Sequence, residues 1–409
     1  MTASSFSFLC RSKIAFGINA LDHLPFDLSS MGAHKPFVVQ DAQSARADCT
    51  RPLIRAFKES EMTLGICPAM SQDREPDMDM LKDFYQTFIN KGFDSIIALG
   101  AGPVADLAKA LNMAVSFGPD TLIKGIDRTL AIKPLMPFAY LPTHVGTGME
   151  TSGIARFNGQ RFDLPCLAPD LVLIDKTILS RQTLGDLIPA ALTSLSVCCE
   201  SFVLSKNPPA RAYAATGIGL FMDNLFPLIG QGSASEASSI SNCKTDQHHL
   251  AGLVHASVMT GVLLTNCKPA ISFHLGREIA KTCQALPGHA MAIILPWVLQ
   301  IFEGNTPNLG QLLLPLSGQD EFSAVPVLQQ PDAAIQKLRS ILNTLYRFSA
   351  GVTPRTLTEL GMTKPMLALL QETLGSADQA IASDIPGVDP DKIKAVLAHS
   401  LDGQPITQD

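Results

Sequence analysis

IIALGAGPVADLAK, residues 96–109, is the stretch that decides how this chain folds. Ile96–Leu99 is a short apolar run of the length and composition of a buried strand. Pro103 has no N–H and a fixed φ, which a helix tolerates only in its first turn, so a helix is expected to open there with Gly102 at or beside its cap. The amides of Val104 and Ala105 would then lack intrahelical acceptors and face the turn, where the helix dipole adds to them as an anion site. Gly100 and Gly102 let a pyrophosphate come close to the backbone. The same residues also read as a tight strand-to-helix turn that binds nothing, because the spacing is neither GxGxxG nor that of a P-loop. A second stretch, LPTHVGTGME at 141–150, again follows a strand and is rich in glycine and hydroxyls. Two such loops at strand carboxyl ends suit a dinucleotide lying across a sheet edge.

Outward from that turn, strands and helices alternate. PFVVQD (36–41) reads as a buried strand ending in an acid, 49–60 as a helix and 62–67 as a strand. In 77–91 the spacing places Met80, Leu81, Phe84 and Phe88 on one helical face. Strands follow at 137–141 and 171–174, with a helix at about 103–116 between them and the turn. This alternation predicts a mostly parallel, doubly wound sheet. Beyond about residue 185 helical patterns dominate, at 204–228 and 249–264, separated by a small polar loop at 230–242. Asp389 before Pro390 predicts the cap of a last helix over 392–399. The expected architecture is an α/β nucleotide-binding domain over 1–185 and an all-helical domain over 186–409, with the cleft between them as the default active site.

The 409 residues are 46% hydrophobic and 17% charged with a net charge of -6, which argues against nucleic acid or an anionic membrane as the main partner. Uninterrupted apolar runs fall short of the ~20 residues of a membrane span; the longest, 291–302, is broken by Pro296. The N-terminal residues show no basic leader followed by an apolar core. Nine cysteines without CxxC spacing suit free thiols in a reducing compartment, so a soluble cytoplasmic protein is expected.

Taken together, these stretches resemble the iron-containing (group III) alcohol dehydrogenase family. Gly100–Lys109 is similar to its GGGSxxDxAK, and Pro142–Glu150 to its PTTxGTGSE, with Pro103, His144 and Met149 replacing Ser, Thr and Ser. Lys13–Gly17, Ala168-Pro169-Asp170 with Ile174-Asp175, Thr356–Gly361 and the 389–401 helix resemble further family segments in the same order. The resemblance implies the two-domain architecture shared with dehydroquinate synthase-like proteins, and a homodimer. It also implies NAD, or NADP, held by Gly100, Ala101, Gly102, Pro103 and Asp106, with Thr143, His144 and Thr147 on the nicotinamide side. Asp41 would lie near the adenosine ribose and favour NAD over NADP; it reads equally as an ordinary loop acid.

Family members hold one divalent metal, iron or zinc, with an Asp, a His four residues later and two further His. With Glu200-Ser201-Phe202 set on the family's Glu-Ala-Tyr, the first two ligand positions become Thr193 and Val197, neither a ligand for such a cation. Cys198, Cys199 and Glu200 are nearby alternatives that read more readily as core and helix-face residues. His274 and His289 remain as metal-ligand candidates, and two imidazoles without an acid make a weak centre. His248, His249 and His255 read as surface or packing residues. Three functions stay open. One is an NAD(P)-dependent oxidoreductase on a small alcohol or carbonyl, with His144, His274 or His289 as catalytic groups. The others are a catalytically degenerate member with a binding or regulatory role, and a metal-dependent dehydrogenase with rearranged ligands.

Overall fold

The computed structural model describes residues 5–46, 48–67, 70, 77–120, 122, 134–158, 160–179, 182–230, 244–267, 271–301, 308–349, 351–375 and 389–403. Six strands make one parallel sheet: β1 (Lys13–Gly17), β2 (Pro36–Gln40), β3 (Gly65–Ile66), β4 (Ser95–Gly100), β5 (Phe138–Pro142) and β8 (Leu171–Asp175), in the order β1-β8-β5-β4-β2-β3. Between β5 and β8, β6 (Ile154–Phe157) and β7 (Gln160–Asp163) form a separate antiparallel pair. The helices between strands are α1 (Leu24–Ser30), α2 (Ala42–Arg46), α3 (Thr50–Phe57), α4 (Met78–Lys91) and α5 (Gly102–Phe117). After β8 come α6 (Leu184–Leu204), α7 (Pro208–Gly230), α8 (Lys244–Asn266), α9 (Ile271–Cys283) and α10 (Pro287–Ile301). Short helices then lead to α11 (Gln330–Phe348), α12 (Lys364–Gly375) and α13 (Pro390–Asp402).

The central strands carry apolar residues on both faces because helices cover both; β2, β4, β5 and β8 are buried throughout. Leu53, Phe57, Val38, Ile97, Leu99, Leu141 and Leu173 share one core layer. Helix α4 follows its sequence pattern: Asp77 caps it by accepting from Met80 N, and Leu81, Phe84 and Phe88 are its buried face. Asp389 caps α13 in the same way, accepting from Asp391 N. The small polar stretch expected at 230–242 lies, beyond Gly230, outside the described residues.

The chain divides into two compact units. One comprises Leu9–Arg181 and also takes in Ser241–Thr265, which brings α8 to the α/β unit; the other comprises Met1–Phe8, Gln182–Ile240 and Asn266–Asp409. The helical unit has its own core, in which Leu275, Ile279, Ile294, Trp297, Val298 and Leu397 pack together. The run-length reading that excluded a membrane-length segment needs correcting. Leu184–Leu204 has a mean hydropathy of 1.7 over its most apolar window, and Pro208–Ile229 reaches 1.2, so both are long and apolar enough to span. Scattered Ser and Thr hide this from a search for unbroken runs; in the fold 89% of the α6 window is buried within the protein.

Candidate active site

The parallel register puts the carboxyl ends of β2, β4 and β5 side by side, with Gln40 opposite Leu99 and Gly100 opposite Pro142. Gly100 ends β4 with φ 150°, and a Cβ there would lie 2.2 Å from Asp41 Oδ2. Glycine is therefore required by Asp41 as well as by the turn. Asp41 is 1% exposed. Its Oδ1 accepts from Ser44 N at 2.6 Å and its Oδ2 from Ala101 N at 3.0 Å. Both oxygens are thus spent on the backbone of α2 and of the turn, and Asp41 shapes the turn. Tyr140 adds a third tie, donating its hydroxyl to Gly100 O at 2.9 Å.

Helix α5 begins one residue before the position expected from Pro103, with Ala101 as cap. Val104 N and Ala105 N, expected to face a ligand, instead close on Ala101 O at 3.0 and 3.4 Å, because the earlier start gives them an acceptor. The turn amide without an acceptor among the described residues is Gly102 N–H. A Cβ on Gly102 would meet nothing within 4 Å, and Ala101, Gly102 and Pro103 are all half-buried. The turn therefore offers one free donor, a helix N-terminus and open space, which fits a phosphate group. Asp106, one turn further on, accepts from Arg156 N at 3.0 Å and so ties α5 to β6.

Beside this turn, Ser44 Oγ lies 2.9 Å from Thr143 Oγ1, which lies 2.7 Å from His144 Nδ1. All three residues are buried, and Thr147 is half-buried in the same loop. The hydroxyl–hydroxyl–imidazole chain starts three residues after Asp41 and ends in the second glycine loop.

That loop is held by residues whose roles the sequence reading passed over. Lys109 is fully buried on α5, and its Nζ donates to Met149 O, Ser152 O and Ile154 O at 2.8, 2.9 and 2.7 Å. Burial pushes its pKa down to about 8, partly offset by Asp106 and Glu150. Glu150, 1% exposed, has its pKa raised by burial, and its Oε1 lies 2.6 Å from Ser257 Oγ on α8. A lysine within LAKALNMAV was the visible signal, since a helical neighbourhood that apolar buries any lysine and demands acceptors for it. Ser257, over a hundred residues further along, gave none.

His274 and His289 belong to the helical unit, on α9 and α10. His274 is half-buried with its ring edge-on to Phe273. His289 is 8% exposed, and burial pushes its pKa down to about 4. It lines a cavity of about 380 Å³ with Tyr346 and Glu359, and His274 is not among the lining residues. Thr193 and Val197 are buried in α6, the Thr193 hydroxyl donating to Pro189 O at 3.0 Å. Gly288 packs so closely on the same carbonyl that a Cβ would lie 1.7 Å from it. Glu200 is a helix cap: its two oxygens accept from Ile271 N and Ser272 N at the start of α9. Burial raises its pKa to about 7. Cys198 and Cys199 are fully buried. Among the described residues no three His, Cys, Asp or Glu gather as a metal would need. A divalent metal of the family's kind does not fit the residues at these positions.

Residues 11–176 match the family model described as "Iron-containing alcohol dehydrogenase". Over 277 residues the chain is 25% identical to the probable alcohol dehydrogenase EutG of Escherichia coli, covering 64% of this chain and 65% of that protein. It is 21% identical over 290 residues to an NAD-dependent methanol dehydrogenase of Bacillus methanolicus, covering 69% and 72%. Among solved structures, an alcohol dehydrogenase from Oenococcus oeni superposes with a TM-score of 0.77 at 16% identity, over 97% of this chain and all of that one. Maleylacetate reductase from Agrobacterium tumefaciens gives 0.72 at 15% identity, over 98% and 99%. At such identities the structures speak for the fold, while the family match covers the strands and both glycine loops. Over residues 11–176 the chain is thus similar to the iron-containing alcohol dehydrogenase family, and as a whole it has the fold of solved alcohol dehydrogenases.

Proposed function

We propose that this protein uses a nicotinamide dinucleotide to interconvert a small alcohol and its aldehyde or ketone, with its own side chains rather than a tightly held metal handling the proton. The observation that carries this reading is the meeting, at neighbouring strand ends, of the open Gly102 amide and the Ser44–Thr143–His144 chain. Gly102 N–H would hold a phosphate oxygen of the dinucleotide, whose charge the α5 dipole would favour. The bound dinucleotide supplies or accepts the hydride. His144, oriented through Nδ1 by the Thr143 hydroxyl, gives or takes the proton of the substrate oxygen. An imidazole can serve as either acid or base in such a step. Asp41 acts on the turn, so the choice between NAD and NADP is not assigned to it. The small-alcohol substrate class is supported by the names of the relatives, methanol among them.

A second reading is favoured by one observation. Thr193 and Val197 stand buried where the resemblance would place two metal donors, as in a member that binds nucleotide without turnover. One assay separates the two. After dialysis against a strong chelator, oxidation of NADH by short-chain aldehydes is expected to persist at the undialysed rate. NADH binding without turnover of any aldehyde or ketone would favour the second reading. Turnover lost with the chelator and restored by zinc or iron would contradict the metal-free mechanism.

A further inference from the structure

Ser257 Oγ lies between two acceptors, 2.6 Å from Glu150 Oε1 and 2.8 Å from Val254 O. A serine hydroxyl carries one hydrogen and can satisfy only one of them. The other contact is satisfied if Glu150 itself brings a proton. Three further observations agree. Glu150 is 1% exposed, so an ionised carboxylate there would be stripped of water. Its Oε2 has no hydrogen-bond partner. The nearby Lys109 ammonium spends its three hydrogens on backbone carbonyls, leaving none for the carboxyl. A neutral acid fits all four.

The pair sits where α8 meets the second glycine loop. Thr151 Oγ1 donates to Val258 O at 2.6 Å, one residue along α8 from Ser257. A Cβ on Gly261 would lie 2.1 Å from Gly148 O, and one on Gly148 would lie 2.9 Å from Gly261 N. Backbone therefore lies directly on backbone at this contact, and Glu150–Ser257 is its buried side-chain link. Gly146 is held in the same grip, since a Cβ there would lie 1.9 Å from Glu150 Oε1.

We propose that Glu150 stands as a neutral carboxylic acid donating to Ser257, and that this pair is a positioning device that fixes the second glycine loop on α8. Its value for cofactor seating rests on the functional reading above; the latch itself does not. A neutral acid also keeps a fixed negative charge away from the ground an anionic dinucleotide would occupy.

Two measurements on the ligand-free protein decide it. The infrared difference spectrum of wild type minus Glu150→Gln near neutral pH is expected to show the C=O band of a protonated carboxyl. A carboxylate band pair in its place would overturn the proposal. Hydrogen exchange over 143–153 is expected to speed up about tenfold in Ser257→Ala, as for loss of one buried hydrogen bond in a local opening. In Glu150→Gln, whose amide can donate as the acid does, exchange should stay at the wild-type rate. Unchanged exchange in Ser257→Ala, or equal loosening in Glu150→Gln, would overturn the latch. A wild type that binds no NADH would defeat the functional reading, and the two measurements would still decide this one.

Discussion

Lys109→Met is expected to lower folding stability by roughly 3 kcal/mol, the largest effect of any single substitution around the site. The ammonium satisfies three backbone carbonyls, two in the loop after β5 and one at the start of β6. Methionine fills the volume and donates nothing, so three buried acceptors would each cost on the order of 1 kcal/mol or more. The pH dependence carries a second signature. Burial depresses the Lys109 pKa from 10.5 to about 8. Between those values the unfolded chain binds the proton and the native state does not, so this group makes stability rise with pH across that window. Below about pH 8 both states are protonated, the slope vanishes and the full cost of burying the charge is present. Denaturant unfolding of wild type and variant from pH 7.5 to 10.5 should show the rise in the wild type alone. A variant as stable as wild type, with the same pH slope, would remove Lys109 from the account.

The second large effect is on chemistry. His144→Gln should lower kcat for aldehyde reduction by about 100-fold or more, the scale of a lost general acid. Glutamine keeps a polar group near Thr143 Oγ1 but does not titrate. Affinity for NADH should change little, because the turn proposed to hold the phosphates is built from Asp41, Gly100 and Gly102. If His144 carries the proton, the same substitution at His274 or His289 should leave kcat within a few-fold. A full loss at His289 and none at His144 would move the chemistry to the helical unit.

What was legible in the sequence was whatever a short window encodes. The apolar run 95–100, Pro103 and the caps Asp77 and Asp389 each fix their own backbone locally, and all appear where expected within a residue or two. The β6–β7 pair was not legible, because IARF (154–157) and QRFD (160–163) show no clean alternation of apolar and polar residues. The helical run expected at 204–228 is α7, which opens at Pro208 rather than at 204 because the proline ring restricts the residue before it.

The site was legible as loops and not as contacts. Asp41 was visible as the acid after a strand, but its partners are the amides of Ser44 and Ala101, the latter sixty residues away. Both bonds turn it from a surface recognition group into a buried brace. The free amide proved to be Gly102 because α5 starts one residue early, a shift no propensity resolves. Ser257 matters only because α8 folds against the 143–153 loop, and a serine in a helix carries no mark of that. The replaced metal positions, by contrast, followed from residue type alone. A threonine and a valine present no strong metal donor wherever they fold.

The central claim is that the turn after β4 holds the phosphates of a nicotinamide dinucleotide, and Gly102→Val tests it most directly. The position lies in open space without a positive φ, so the folded protein should tolerate the side chain within about 0.5 kcal/mol. The branched methyls would occupy the ground a pyrophosphate needs. Calorimetric titration of NADH is therefore predicted to show an affinity at least about 30-fold weaker in the variant, roughly 2 kcal/mol, at nearly unchanged thermal stability. Equal affinity in the two proteins would contradict the assignment of the dinucleotide to this turn.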